Sequence, residues 1–384
     1  MKIGVIGAGR LGICFALLCE QAGYDVLVSD VRDGYVKNLQ RKIISTNEPE
    51  VAKLLSTSPR LSATNSNSKV IRDCDIIYTL VATPSKRDGS YDVSAVWDVV
   101  EDIKKVKKVQ GKAFVVGCTT NPGDCEQFQN ELDKCGVDVY YNPEFIAQGT
   151  IIKDLRRADM VLIGGKRNET YDHLCELYNR IQEVPPKISI MSTTAAELVK
   201  LAVNCYLTTK ISYANMVGQV MSLSGMEEEI PTVLGAIGDD SRVGRKYLNF
   251  GFGFGGPCLP RDNRAFAAHA KQLGLDYNLG ETTDNFNEEH ATFLKENFIY
   301  KNIDNLPFYF DYVSYKKGTD ILTESQQYKL CIDLLDDGYT VYINDNDAIM
   351  DMITKDLSDN CLLYTSDAAD ERSSVDLGGR RIIK

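Results

Sequence analysis

The sequence predicts an α/β protein that opens on a doubly wound parallel sheet, and three observations carry this reading. A strand, a glycine-rich turn and a helix follow one another at the start; short β-rich runs then alternate with helical stretches to about residue 190; from Ser192 a long helical pattern replaces the alternation. A chain of 384 residues exceeds one ordinary core, so more than one domain is expected.

Lys2–Ile6 reads as a short apolar strand. Gly7-Ala8-Gly9-Arg10-Leu11-Gly12 follows it, and Leu11–Ala22 reads as a helix stopped by Gly23. Tyr24–Ser29 is the next strand and ends at Asp30, 18 residues after Gly12. A GxGxxG run between strand and helix, with an acid at that distance, is the pattern of a dinucleotide-binding turn. Gly7 permits the tight turn, Gly9 lets backbone approach a pyrophosphate, and Gly12 lets helix and strand pack closely. Arg10 and Leu11 open the helix whose N-terminal N–H groups and partial positive charge suit phosphates. Asp30 would bind both ribose hydroxyls and repel a 2′-phosphate, so NAD is expected over NADP; Arg32 nearby weakens that preference without overturning it. The competing reading is a glycine turn that serves packing alone.

Asp75–Val81, Ala113–Cys118, Val137–Tyr141 and Met160–Gly164 are further β-rich runs. Between two of them Val93, Val96, Val100, Ile103 and Val106 recur at helical spacing, with the single tryptophan, Trp97, on the same helix in a packing role. Residues 1 to about 190 are therefore expected to form a Rossmann-like domain. Ligands on such sheets lie at the carboxyl ends of strands. Three strand ends carry polar, turn-forming sequence: Thr83-Pro84, Thr119-Thr120-Asn121-Pro122-Gly123 and Asn142-Pro143-Glu144.

Ser192-Thr193-Thr194 offers an N-cap for a helix running from Ala195 to about Leu223. Lys200 and Asn204 stand at i and i+4 and share one face. Such a lysine either snorkels to water or points into a polar pocket, and periodicity alone leaves both open. The glycine-dense stretch Gly251–Gly256 leads into Pro257-Cys258-Leu259-Pro260-Arg261-Asp262, where Pro260 and a following helical pattern place Cys258 near a helix N-terminus. There the helix dipole lowers a thiol pKa below its free value of about 8.5. Asp262, at i+4, falls on the same face; an inert core cysteine is the alternative.

Composition narrows the function. With 43 Lys+Arg against 54 Asp+Glu and a formal charge of −11, general nucleic-acid or anionic-membrane binding is disfavoured. No apolar run reaches the roughly 18 residues that span a bilayer, and, with Met1–Ile6 entering a strand directly, no signal peptide is expected. The 11 cysteines form no CxxC pair, as expected of reduced thiols, so a soluble cytoplasmic protein without a metal site is expected.

These motifs together resemble a family, the NAD-dependent nucleotide-sugar 6-dehydrogenases (UDP-glucose/GDP-mannose dehydrogenases), from residue 1 to about 345. Gly7–Gly12 looks like the cofactor loop, and Val81-Ala82-Thr83-Pro84 resembles the segment near the nicotinamide ribose. Cys118–Gly123 is similar to the family's Ser-Thr-Val-Pro-x-Gly, and Asn142–Thr150 to Asn-Pro-Glu-Phe-Leu-x-Glu-Gly. Glu197-Leu198-x-Lys200-Leu201-Ala202-x-Asn204 matches the central-helix motif, Gly253–Asp262 the nucleophile loop, and Tyr315–Asp320 a segment of the third domain. The resemblance implies a Rossmann-like domain (1–190), a central helical substrate and dimerisation domain (191–290) and a truncated second Rossmann-like domain (291–360).

It further implies oxidation of the sugar's C6 alcohol to a carboxylic acid with two NAD⁺. A water positioned by Thr119 and Asp262, or a nearby base, would accept the hydroxyl proton, Cys258 would add to the aldehyde, Lys200 and Asn204 would stabilise the oxyanion, and Glu144, directly or through water, would be the base for thioester hydrolysis. Phe145, Gln148, Tyr247, Asn249, Gly255 and Lys316 would contact the nucleotide sugar. Arg242 would reach a neighbouring subunit's substrate, implying at least a homodimer. His173, His269 and His290 match none of these positions, and surface or structural roles are expected of them. UDP-glucose is the first expected substrate, ahead of GDP-mannose or a UDP-N-acetylhexosamine.

Two departures stand out. Gln148 occupies a position where many members carry glutamate, losing charge and basicity. Residues 361–384, beginning Cys361-Leu362-Leu363-Tyr364-Thr365-Ser366, look unlike any core element and resemble translated sequencing-adapter DNA; a non-native tail after a shortened third domain is expected. A single-step hydroxy-acid dehydrogenase and an inactive NAD-binding remnant are the alternatives. Cys258 argues against the former, because two-electron chemistry needs no thiol nucleophile.

Overall fold

The computed structural model describes residues 1–146 and 149–354, together with the backbone of Cys361–Tyr364 and Arg381–Ile383; Gln148 lies outside the described residues. The chain divides into two compact units, Met1–Lys200 and Leu201–Lys384.

In the first unit, strands alternate with helices. β1 (Lys2–Ile6), α1 (Arg10–Gln21), β2 (Asp25–Ser29), α2 (Asp33–Gln40), α3 (Val51–Ser56) and β3 (Leu61–Thr64) come first. They are followed by α4 (Asn67–Asp73), β4 (Ile76–Thr79), α5 (Ser94–Lys105), β5 (Ala113–Val116), α6 (Asp124–Leu132) and β6 (Asp138–Tyr141). The unit's last elements are α7 (Ile151–Arg156), β7 (Val161–Gly164), α8 (Glu169–Ile181) and β8 (Ile188–Met191). The strands form one sheet in the order β3-β2-β1-β4-β5-β6-β7-β8, parallel except where β6 and β7 meet at Tyr141 and Gly164.

β4, β5 and β7 are buried along their whole length, which is why they read as continuous apolar runs and not as alternations. β4 and β5 stop short of their runs because the apolar sequence continues past the ladder into the loops at the carboxyl edge. β1 lies between β2 and β4, so strand order reverses there and opens the crevice where such sheets take ligands.

Helix α9 (Thr193–Leu223) begins in the first unit and runs into the second. The second unit continues with α10 (Ile230–Asp239), α11 (Leu259–Gln272) and α12 (Leu279–Lys301). β9 (Phe308–Phe310), α13 (Gln326–Asp336), β10 (Val341–Asn344), α14 (Asp347–Ile353), β11 (Cys361–Tyr364) and β12 (Arg381–Ile383) follow, with a parallel sheet in the order β11-β10-β9-β12. Two cores form here: Ala214, Met221, Ile230, Leu234 and Leu248 among the helices, and Phe308, Phe310, Leu330, Leu334, Val341 and Ile343 around the small sheet.

Within residues 361–384 the backbone of Cys361–Tyr364 pairs in parallel with β10, and that of Arg381–Ile383 with β9. An apolar run of strand length beside an open strand edge satisfies that edge's backbone groups whatever the run's origin.

Candidate active site

The glycine turn is built by close packing. Gly7 N–H and Ala8 N–H both donate to Ser29 O, at 2.9 and 3.2 Å, tying the turn to the end of β2. Gly7 holds φ +94°, and a Cβ at Gly12 would lie 1.9 Å from Gly7 O, so α1 can approach β1 only through glycine. A Cβ at Gly9 would meet no protein atom within 4 Å, so that side of the turn is open. Strand, open turn, and a helix starting at Arg10 together fit a dinucleotide pyrophosphate. Thr83 is buried in the loop beyond β4, beside the exposed Pro84.

Asp30 follows β2, as the ribose role requires, but its carboxylate is already held. Arg32 donates to it from its backbone N–H (3.0 Å), Nε (2.8 Å) and a terminal nitrogen (2.8 Å), and the guanidinium lies 4.2 Å from the centre of the Tyr35 ring. Burial pushes the Asp30 carboxyl up, and the hydrogen bonds from Arg32 outweigh it, leaving Asp30 below the usual carboxylate range. The wild-type protein is expected to bind NAD about tenfold or more tightly than NADP, a difference of about 1.4 kcal/mol. Asp30→Ala removes the repulsion and releases Arg32 for a 2′-phosphate, so the ratio of dissociation constants should collapse to near one. Equal affinity of the unmutated protein for the two cofactors would show that Arg32 dominates.

At the carboxyl edge of β5 and β6 the first unit assembles an acid and a cation. Lys200 is buried and points inward: Nζ donates to Glu144 O at 3.1 Å and lies 4.7 Å from the centre of the Phe145 ring. This settles the choice left open by periodicity, since the ring and the carbonyl replace the water the ammonium gives up. Glu144 Oε1 accepts from Tyr178 Oη–H at 2.6 Å. Burial pushes the Glu144 carboxyl up to about 7, against Tyr178 and Lys200, which both favour its charged form. Thr119 is half-buried in the loop after β5. Tyr178, on α8, was not foreseen: one tyrosine on an amphipathic helix carries no signal of its partner.

In the second unit Asn204 donates to Asp262 Oδ2 at 2.5 Å, and one turn on Thr208 donates to Asn263 Oδ1 at 2.8 Å, so α9 grips the first turn of α11. Cys258 is the N-cap residue of α11, with Pro260 in the first turn and Asp262 N–H donating to Cys258 O at 2.9 Å. Among the described cysteines Cys258 is the exposed one. By contrast, burial pushes Cys14, Cys74 and Cys118 up to about 12, leaving them inert thiols.

The glycine loop before Cys258 is dense first for the protein's own packing. A Cβ at Gly253 would lie 2.0 Å from Asn287 Oδ1, and one at Gly255 would lie 2.3 Å from Glu324 O. Asn287 exchanges both amide bonds with Phe254, at 2.8 and 2.9 Å. His290, one turn along α12, is fully buried and contacts Gly251 O through Nε2 at 2.7 Å and Gln219 through Nδ1 at 2.8 Å. Burial holds its imidazole below the usual histidine range. Asn287 was missed because an asparagine at helical spacing looks like an ordinary solvated position; of the surface and structural roles open to His290 from the sequence, the structure shows the structural one.

The remaining candidates are exposed. Arg242 pairs bidentately with Asp240 (3.0 and 2.7 Å). Tyr247 holds φ +61°, rare for a bulky side chain. Asn249 lines a cleft of about 330 Å³ with Ile230, Leu234, Arg245 and Leu248. Lys316 stands exposed on the loop before Thr319. Among the described residues no three His, Cys, Asp or Glu side chains are placed to hold a metal ion, and no helix is long and apolar enough to cross a membrane.

Comparison with known proteins decides what this geometry belongs to. Residues 1–182 match the NAD-binding domain, and residues 194–289 the central domain, of the UDP-glucose/GDP-mannose dehydrogenases. The chain belongs to the UDP-glucose/GDP-mannose dehydrogenase family. It is 29% identical to the UDP-glucose 6-dehydrogenase of Rickettsia typhi over 98% of this chain and 88% of that protein. With the Rickettsia bellii enzyme of the same name it shares 28% identity over 88% of this chain and 79% of the relative. A solved UDP-glucose dehydrogenase from Pyrobaculum islandicum superposes with a TM-score of 0.85 at 26% identity, covering 99% of this chain and 93% of that one. The chain is thus an NAD-dependent dehydrogenase of the nucleotide-sugar family, and the doubly wound Rossmann-like fold is the observed one.

Proposed function

We propose that this dehydrogenase oxidises the C6 alcohol of UDP-glucose to the carboxylate in two NAD-dependent steps, through a covalent intermediate on Cys258. The observation that carries the reading is the exposed thiol at the N-cap of α11, one turn from an Asp262 fastened to Asn204. The names of the relatives support UDP-glucose as the sugar nucleotide.

Gly7, Gly9, Arg10, Leu11, Gly12, Asp30, Thr83, Pro84 and Thr119 would hold NAD, which accepts one hydride from the substrate carbon in each oxidation. In the first oxidation Thr119 and Asp262 orient the water that receives the hydroxyl proton. The Cys258 thiolate then adds to the aldehyde carbon, forming a C–S bond and an alkoxide. Lys200 and Asn204, one turn apart on α9, donate hydrogen bonds to that oxygen. Loss of the second hydride leaves a thioester. Glu144 takes a proton from the water that attacks it, releasing the acid and the thiol.

The homodimer implied by Arg242 is also proposed. The exposed stripe Tyr206, Tyr213, Met216, Val220 and Leu223 on α9 supports it, since an apolar helix face of that length is normally covered. Assaying the protein against UDP-glucose, GDP-mannose, UDP-N-acetylhexosamines and 2-hydroxy acids tests the reading. UDP-glucose should give the highest kcat/KM, with two NADH formed per sugar consumed and no aldehyde released. One NADH per substrate, or preference for a hydroxy acid, would overturn it.

A further inference from the structure

Glu197 takes no part in the chemistry proposed above, yet it is a fully buried acid on an otherwise largely apolar stretch of α9. Its carboxylate accepts three O–H or N–H hydrogen bonds, all from residues 120–125: Thr120 Oγ1–H to Oε1 at 2.8 Å, Gly123 N–H to Oε2 at 2.7 Å and Cys125 N–H to Oε1 at 2.9 Å, with the Cys125 thiol as a further donor. Gly123 is the N-cap of α6 and Cys125 lies in its first turn, so a side chain from α9 caps α6 in place of a local residue. Thr119, at the carboxyl edge of β5, is the next residue before Thr120, and Lys200 is the next residue but two along α9 from Glu197. One carboxylate therefore ties together the loop carrying Thr119 and the helix carrying Lys200.

We propose that Glu197 is a positioning residue, which fixes the loop 119–125 against α9 and so sets where the Thr119 hydroxyl stands relative to Lys200 and Glu144. The converging donors demand an acceptor on every side, which a carboxylate offers and an amide does not. Glutamine here would turn an N–H towards the backbone N–H groups of Gly123 or Cys125 and push the loop outward. A misplacement of about 1 Å costs up to 10²-fold in rate without a matching loss of ground-state binding. Burial pushes the Glu197 carboxyl up to about 7, while the bonds from Cys125, Gly123 and Thr120 favour its charged form. The loop's anchor accordingly weakens as the solution is acidified through that range.

The inference rests on the dehydrogenase reading for its kinetic arm, and the fold supplies an arm that does not. Trp97, the single tryptophan, packs edge-on against Phe128 of α6 at 4.7 Å between ring centres, so its emission reports the placement of that helix. Glu197→Gln should shift Trp97 emission and lower kcat about tenfold per titrated active site, with KM for NAD and nucleotide sugar changed less than about twofold. The pH dependence of Trp97 emission near 7 should vanish in that variant. Glu197→Asp, which keeps the charge but is one methylene shorter, should stay folded, draw the loop inward and show the same split between kcat and KM; it carries the test if the glutamine variant does not fold. Wild-type kcat with wild-type emission in a folded variant overturns the proposal, as does a rate loss wholly explained by fewer folded sites. A wild-type protein that never reduces NAD with nucleotide sugars overturns the functional reading instead, and the Trp97 measurements still decide the role of Glu197.

Discussion

Replacing Cys258 with alanine should abolish formation of the carboxylic acid, by at least about 10³-fold. An aldehyde carbonyl is a poor hydride donor; adding the thiolate makes its carbon tetrahedral and gives the departing hydride an alkoxide to push it. The first oxidation needs only a base and the nicotinamide, so the variant should still convert alcohol to aldehyde at a measurable rate. The expected result is a fall from two NADH to at most one per sugar, with aldehyde trapped by a hydrazine reagent. Alanine keeps the N-cap backbone of α11, and Cys258 is exposed, so stability should change little. Undiminished acid production by Cys258→Ala would return the single-step dehydrogenase to first place.

Replacing Glu144 with glutamine should slow thioester hydrolysis by about 10²- to 10⁴-fold, the usual worth of a positioned general base. Glutamine keeps the oxygen that accepts from Tyr178 and leaves the backbone carbonyl that receives Lys200, so the loss belongs to proton transfer and not to geometry. NADH should then appear as a burst of about two equivalents per active site, followed by slow turnover, with the acyl group found by mass on the peptide containing Cys258. The wild-type profile supplies the sign: the base works when ionised, its carboxyl stands at about 7, and deacylation should fall as pH drops through that value. Glutamate introduced at Gln148 should change the rate less than glutamine at Glu144. A variant at Glu144 with no burst and an unchanged profile would remove this residue from hydrolysis.

The alternation of short apolar runs with amphipathic helices determined the doubly wound sheet, because central parallel strands such as β4 and β5 are covered on both faces and read as near-continuous apolar runs. Spacing alone likewise determined the glycine turn between β1 and α1, where Gly7 and Gly12 have local roles, set by φ and by contact with Gly7 O. The tail shows the limit of such reading, since sequence character did not exclude backbone pairing beside β9 and β10. What the tertiary structure alone decided are partnerships between residues far apart in the chain. Lys200 points inward because Phe145 and Glu144 O receive it; Glu144 is held near neutrality by burial opposed by Tyr178; Asn204 meets Asp262; Glu197 caps a helix more than seventy residues away. Periodicity names the face a side chain occupies, but only packing determines which buried groups share that space, and burial is what makes a carboxyl group titrate near 7.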